Sequence, residues 1–226
     1  MCFSAGASFT AAAGLSLISL AAIKKTRNAN LCVIAASPLF FAIQQACEGV
    51  VWLTLNAGDT TSFLHTCAMH SFLFFAVSWW PFWIPYALYT VEKIPHRKKL
   101  LFLLSVIGTI VAIILFFRWN MLTSGVEIVN HHLNYPVEHY PFDTTNETYA
   151  FVASWIISLC YCVATVAPLF ISSLLYMWVL GIIMSISLIV SYVFYAMALP
   201  SVWCFFAAVG SMMIYGIVTK NIQKIT

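Results

Sequence analysis

With 62% of its 226 residues hydrophobic, 8% charged and a mean hydropathy of +0.94, this chain cannot be an ordinary soluble domain, where about a quarter of residues are charged. The composition predicts a polytopic membrane protein, with the lipid bilayer as its first partner. A net charge of +3 is too small to argue for nucleic acid, and seven cysteines with no CxxC pair or zinc-finger spacing signal neither a disulfide framework nor a zinc module.

Taken in order, the apolar stretches are Ala5–Ile23, Leu31–Leu55, Phe63–Tyr89, Leu100–Phe117, Tyr149–Ile171, Leu174–Met197 and Pro200–Val218. Each has roughly the twenty residues that a bilayer requires. They predict an all-α, single-domain bundle of seven transmembrane helices over residues 1–226. The first is rich in Ala, Gly and Ser, which suits close helix packing in lipid. No basic residue precedes it, whereas Lys24, Lys25 and Arg27 follow it; a cleavable signal has the reverse order. The third carries Trp79, Trp80, Pro81 and Pro85, so a kink is expected there. Leu122–Glu147 is the long polar segment, with His131, His132 and His139. Nine of the ten Lys and Arg fall in the first and third loops and the C-terminal tail. That asymmetry predicts an outside N-terminus and a cytoplasmic C-terminus.

The unusual chemistry lies in the second stretch. Glu48 is the only carboxylate inside any of the apolar spans, and an ionised carboxylate in hydrocarbon costs at least about 2.5 kcal/mol, so such groups mark interiors and sites. Gln44 lies one helical turn before it and Trp52 one turn after, on the same face, and Gln45 stands beside them. With the predicted orientation, Glu48 and His70 lie about two turns below the outer ends of their helices. Cys2, Gln44, Gln45, Cys47, Cys67 and Cys204 fall in the same half. An outward-facing polar pocket with Glu48 and His70 at its floor would satisfy these groups together.

Three uses compete for that pocket. Carboxylate, imidazole and thiolate suit a transition metal, zinc or copper, with Cys2, Glu48 and His70 as ligands and Gln44 and Gln45 orienting Glu48 behind them. His65 and His70 are five apart, about 140° around a helix, so both cannot easily serve one ion. The metal would serve a metal-dependent membrane enzyme acting on a lipid-like or small substrate, or a sensor, with Glu48 and His70 as ligands or as its catalytic acid/base pair, and this is the preferred use. Without a metal, Glu48 and His70 would form a titratable pair. In a metal-free sensor, receptor or small-molecule or proton transporter, the same pair would respond to protons or ligand. The third use is structural, Glu48 holding helices together through Gln44, Gln45 or His70. No lysine in the last span is placed for a retinal linkage, and no GxSxG, P-loop or dinucleotide fingerprint occurs.

The opening Met1-Cys2-Phe3-Ser4-Ala5, with Ala7-Ser8-Phe9, resembles a family of uncharacterised bacterial membrane proteins that begin MCFSATASF. Pro38-Leu39-Phe40-Phe41, Gln44-Gln45, Glu48-Gly49-Val50-Val51-Trp52 and, more loosely, Trp80-Pro81 continue the likeness through the first three spans. Gly6 stands where the family has Thr. The resemblance implies a bacterial inner-membrane protein of several helices and brings no activity with it. A looser likeness of architecture links the chain to seven-helix zinc hydrolases, which use three histidines; here only His65 and His70 lie within the spans.

Overall fold

Ser4 opens the first helix, its hydroxyl accepting from the Ala7 amide, and Lys24 and Lys25 close it, where cations favour the carbonyl end. In the computed structural model, which describes residues 4–26, 28–129, 131–136, 147–195 and 198–225, this is α1, Ala5–Lys25. The second span is two pieces, α2 (Ala29–Ala35), capped by the Asn28 side chain, and α3 (Ser37–Asn56). The break falls at Pro38, which has no N–H to continue the ladder.

The third span also changes character midway. α4 (Phe63–Leu73) passes through a π-helical stretch, Phe74–Trp79, into α5 (Trp80–Val91). Pro81 lacks the N–H that carbonyls one turn earlier would accept, and the wider turn re-spaces the ladder. The Ala76 carbonyl instead accepts a hydrogen bond from the Tyr161 hydroxyl at 2.7 Å. α6 (Pro95–Leu122), α7 (Glu147–Ile171), α8 (Met177–Tyr195), and α9 (Leu199–Ser211) with α10 (Met213–Ile225) complete the spans. Among the described residues, seven helices are long and apolar enough to cross a membrane.

One hydrophobic cluster gathers Ala22, Val91 and Leu101 with Leu174 and Val218, so Lys24, Lys25, Lys93 and Arg97, which flank the first three of these in sequence, lie toward one end of the bundle, here the basic end. At the other, β1 (Glu127–Val129) pairs antiparallel with β2 (His132–Asn134). That hairpin is not the exposed polar loop its histidines suggest. Leu133 is 0% exposed and Tyr135 4%, and Tyr135 stacks on Phe72 with ring centroids 5.1 Å apart. They join a core cluster containing Val51, Trp52, Leu115 and Cys204. A second cluster, with Leu15, Leu31, Leu88, Met177 and Val218, fills the basic end.

The basic end is held by side chains that clasp the turn before α8. The buried Glu92 accepts from the Lys93 amide at 3.1 Å, the Ile94 amide at 3.0 Å, and the Ser173 amide and hydroxyl, both at 2.8 Å. Asn221 of α10 accepts from the Leu175 amide at 2.9 Å and donates to its carbonyl at 3.2 Å.

Candidate functional site

Gln44, Gln45 and Glu48 are each 0% exposed. α3 carries them on the stripe facing α1, α5 and α9, because a helix in a bundle turns its polar groups away from hydrocarbon. α1 comes close there, the Phe9 ring covering Gly49. Glu48 Oε2 accepts from Gln45 Nε2 at 3.1 Å. Its other oxygen accepts a short hydrogen bond from the Ser201 hydroxyl of α9. Both partners are neutral. Ser8 of α1, also buried, stands within electrostatic reach of the carboxylate but without hydrogen-bond geometry.

Gln44 turns toward α5, and its Oε1 accepts from Trp80 Nε1 at 2.9 Å. The Trp80 ring stacks on Phe41 with centroids 3.7 Å apart. The Cys204 thiol of α9 lies beside Gln44 and Glu48. The network therefore ties three spans together and rests against a fourth.

The structure does not bring His70 to Glu48. His70 Nδ1 pairs with Asn120 Oδ1 of α6 at 3.1 Å. Helical geometry explains it: His65, Met69, Phe72 and Leu73 form the buried face of α4, and His70 is turned about 140° from His65. His65, the histidine on the α3 side, bonds Thr54 at 2.7 Å, about 9 Å up the helix from Glu48 at 1.5 Å per residue. Cys2 lies outside the described residues, as does His139. Cys47 is partly buried and Cys67 exposed. Among the described residues, no three His, Cys, Asp or Glu gather as a metal-binding group.

Ser201 is the partner that sequence reasoning missed. Its one signal is a hydroxyl in an apolar span immediately after Pro200, which says nothing of which carboxylate it meets. The histidines near the hairpin divide: His131 is exposed and His132 buried, its ring edge-on to Tyr195 at 4.8 Å. Burial, with the neighbouring His131 adding to it, lowers the His132 pKa.

The cavity that the fold encloses also lies elsewhere than expected. It occupies the half of the bundle toward the basic end, between α2, α3, α5, α7, α8 and α9, and is lined almost wholly by apolar atoms. Phe41, Trp80, Met177, Met184, Trp203 and Cys204 are in its wall. It comprises about 720 Å³ of atom-free space, part of it continuous with the outside. Glu48 is not in the wall. Trp80 and Cys204 connect the two, since both line the cavity and both adjoin Gln44.

The sequence profile of a family of unknown function, DUF6629, matches residues 1–225. The chain belongs to that family. No curated protein matches it. For this DUF6629 member, function has to be argued from the Glu48 network and the cavity beside it.

Proposed function

We propose that this protein is a membrane-embedded binding protein, a receptor or carrier, whose cavity takes a small lipid-like molecule. The Glu48 network is the polar end of that site, and no metal ion is needed. One observation carries the reading: Trp80 and Cys204 belong at once to the cavity wall and to the surroundings of Gln44 and Glu48. Ligand sites pair an apolar wall with a few placed polar groups, and an intramembrane carboxylate marks such a site by default. The distribution of Lys and Arg supports an outside N-terminus, which places the cavity in the cytoplasmic half. Family resemblance supports a bacterial inner membrane.

The rival is the transition-metal reading on Cys2, Glu48 and His70. His70 is engaged with Asn120, and Glu48 with two neutral partners. One preparation tests both. The protein purified from membranes in mild detergent is extracted with organic solvent, and wild type is compared with Ala207→Leu, which fills the cavity. A molecule present near unit stoichiometry in wild type and lost in the filled variant supports the proposal; equal amounts in both sink it. Elemental analysis of the same samples decides the metal. Near-stoichiometric zinc or copper, lost in folded Glu48→Gln and His70→Ala, would restore the metal reading.

A further inference from the structure

We infer that the ligand's polar end is a hydrogen-bond acceptor, a carbonyl-type oxygen on a largely apolar body, and not a cation. This rests on the cavity being a binding site.

A carboxylate in a cavity's neighbourhood would ordinarily suggest an ammonium or a metal ion. The inventory of matched and unmatched groups argues otherwise. Each of these acceptors already holds one donor: Glu48 Oε1 that of Ser201, Glu48 Oε2 that of Gln45, Gln44 Oε1 that of Trp80. What remains over at this end is mostly donors. Gln44 Nε2 has only the Cys204 thiol, a weak acceptor, beside it, and the indole N–H of Trp203, a cavity-lining residue only 8% exposed, has no hydrogen-bond partner. Trp52, one turn beyond Glu48, also carries an unpartnered N–H. Among the described residues of the network, Gln45 Oε1 is an unmatched acceptor, and the Ser8 hydroxyl is unmatched as donor and acceptor alike. Buried donors without partners cost about 1–3 kcal/mol each, so an incoming oxygen recovers energy that an incoming cation cannot.

Position agrees with inventory. Trp203 is in the cavity wall, its ring edge-on to Tyr161 with centroids 5.7 Å apart. Gln44 lies directly behind Trp80 and Cys204 of that wall. A chain or ring seated among Phe41, Met177 and Met184 would have both donors close behind its wall, each closed off from the cavity until a head group reaches it. Ketones, esters and quinones share this chemistry.

The test uses three twelve-carbon chains, each brominated near its far end and bearing a ketone, a primary amine or no head group. Saturable quenching of tryptophan fluorescence is read on the full protein in nanodiscs. The expected result is that the ketone binds about tenfold more tightly than the bare chain, the effect of one hydrogen bond, and the amine does not. Trp203→Phe, which removes the N–H together with one ring of the indole, should abolish most of the ketone's advantage over the bare chain, the bare chain controlling for the lost volume. Gln44→Glu, which keeps an acceptor for Trp80 and removes the amide donor, should do likewise, with thermal melts confirming folding. Tighter binding of the amine than the ketone would overturn the inference and leave the cavity reading standing. Equal binding of ketone and bare chain, unaffected by Trp203→Phe, would overturn it as well. If no chain quenches saturably, or Ala207→Leu weakens none, the cavity reading fails and the inference with it.

Discussion

Ser201 donates to Glu48 across 153 positions of sequence, and that bond joins the last span to the second inside the apolar bundle. With Gln45 it provides both of the carboxylate's hydrogen bonds. Interhelical polar contacts in membranes are worth about 1 kcal/mol, so Ser201→Ala and Glu48→Gln should each lower stability modestly. The double variant should show a coupling of about 1 kcal/mol in detergent unfolding titrations. A coupling within about 0.3 kcal/mol of zero, the level of independent sites, would mean the two groups do not interact.

Gly108 of α6 meets the backbone of α5 so closely that a Cβ there would sit 1.8 Å from the Pro81 oxygen and 2.6 Å from its carbonyl carbon. Backbone cannot swing aside as a side chain can, so Gly108→Ala must push two helices apart. The expected loss is about 2 kcal/mol or more. Gly14, with nothing within 4 Å of its added Cβ, is the control. There the same substitution should stabilise by up to about 1 kcal/mol through helix propensity. Similar melting temperatures for the two variants would refute the close α5–α6 contact.

Glu92 makes stability pH-dependent at the basic end. Burial raises its pKa, but the amides of Ile94, Ser173 and Lys93 and the Ser173 hydroxyl more than offset this and hold it below the usual glutamate value of 4.5. A carboxylate whose folded pKa is depressed contributes stability above its unfolded value and loses it as pH falls through the folded one. Melting temperature should therefore drop as pH is lowered below about 4.5, the unfolded reference, more steeply in wild type than in Glu92→Gln. Parallel pH profiles would show that the clasp on Ser173 is not ionic. At neutral pH, Glu92→Gln should cost about 2 kcal/mol, since an amide cannot accept at both positions.

Leu133 tests whether the hairpin is part of the core. Fully buried among Val51, Phe72 and Leu115, it should cost about 2–5 kcal/mol when cut back to Ala. Its cross-strand partner Ile128 is 42% exposed, and Ile128→Ala should cost much less, about 0.5 kcal/mol. Equal, small effects would return the hairpin to the solvent.

Hydrophobicity and length alone determined the seven helices that, among the described residues, are long and apolar enough to cross a membrane, because a span must satisfy its backbone internally over about 30 Å. The pattern is local and survives without knowledge of neighbours. So is the seam of Gln44, Gln45 and Glu48, whose burial follows from the expense of placing such groups in lipid, and so is the interruption of the helical ladder before Pro81. Tertiary structure alone decided what the seam touches. Depth in the membrane brought His70 level with Glu48, but rotation about the helix axis sent it to Asn120. A pocket predicted from depth orders residues by height and leaves their angle about the helix axis open. Ser201, Trp80 and Cys204 are ordinary members of apolar runs, and nothing local marks a hydroxyl, an indole or a thiol as the neighbour of a distant carboxylate. Their meeting depends on how helices pack around one another, a property of all the side chains together and of no single stretch.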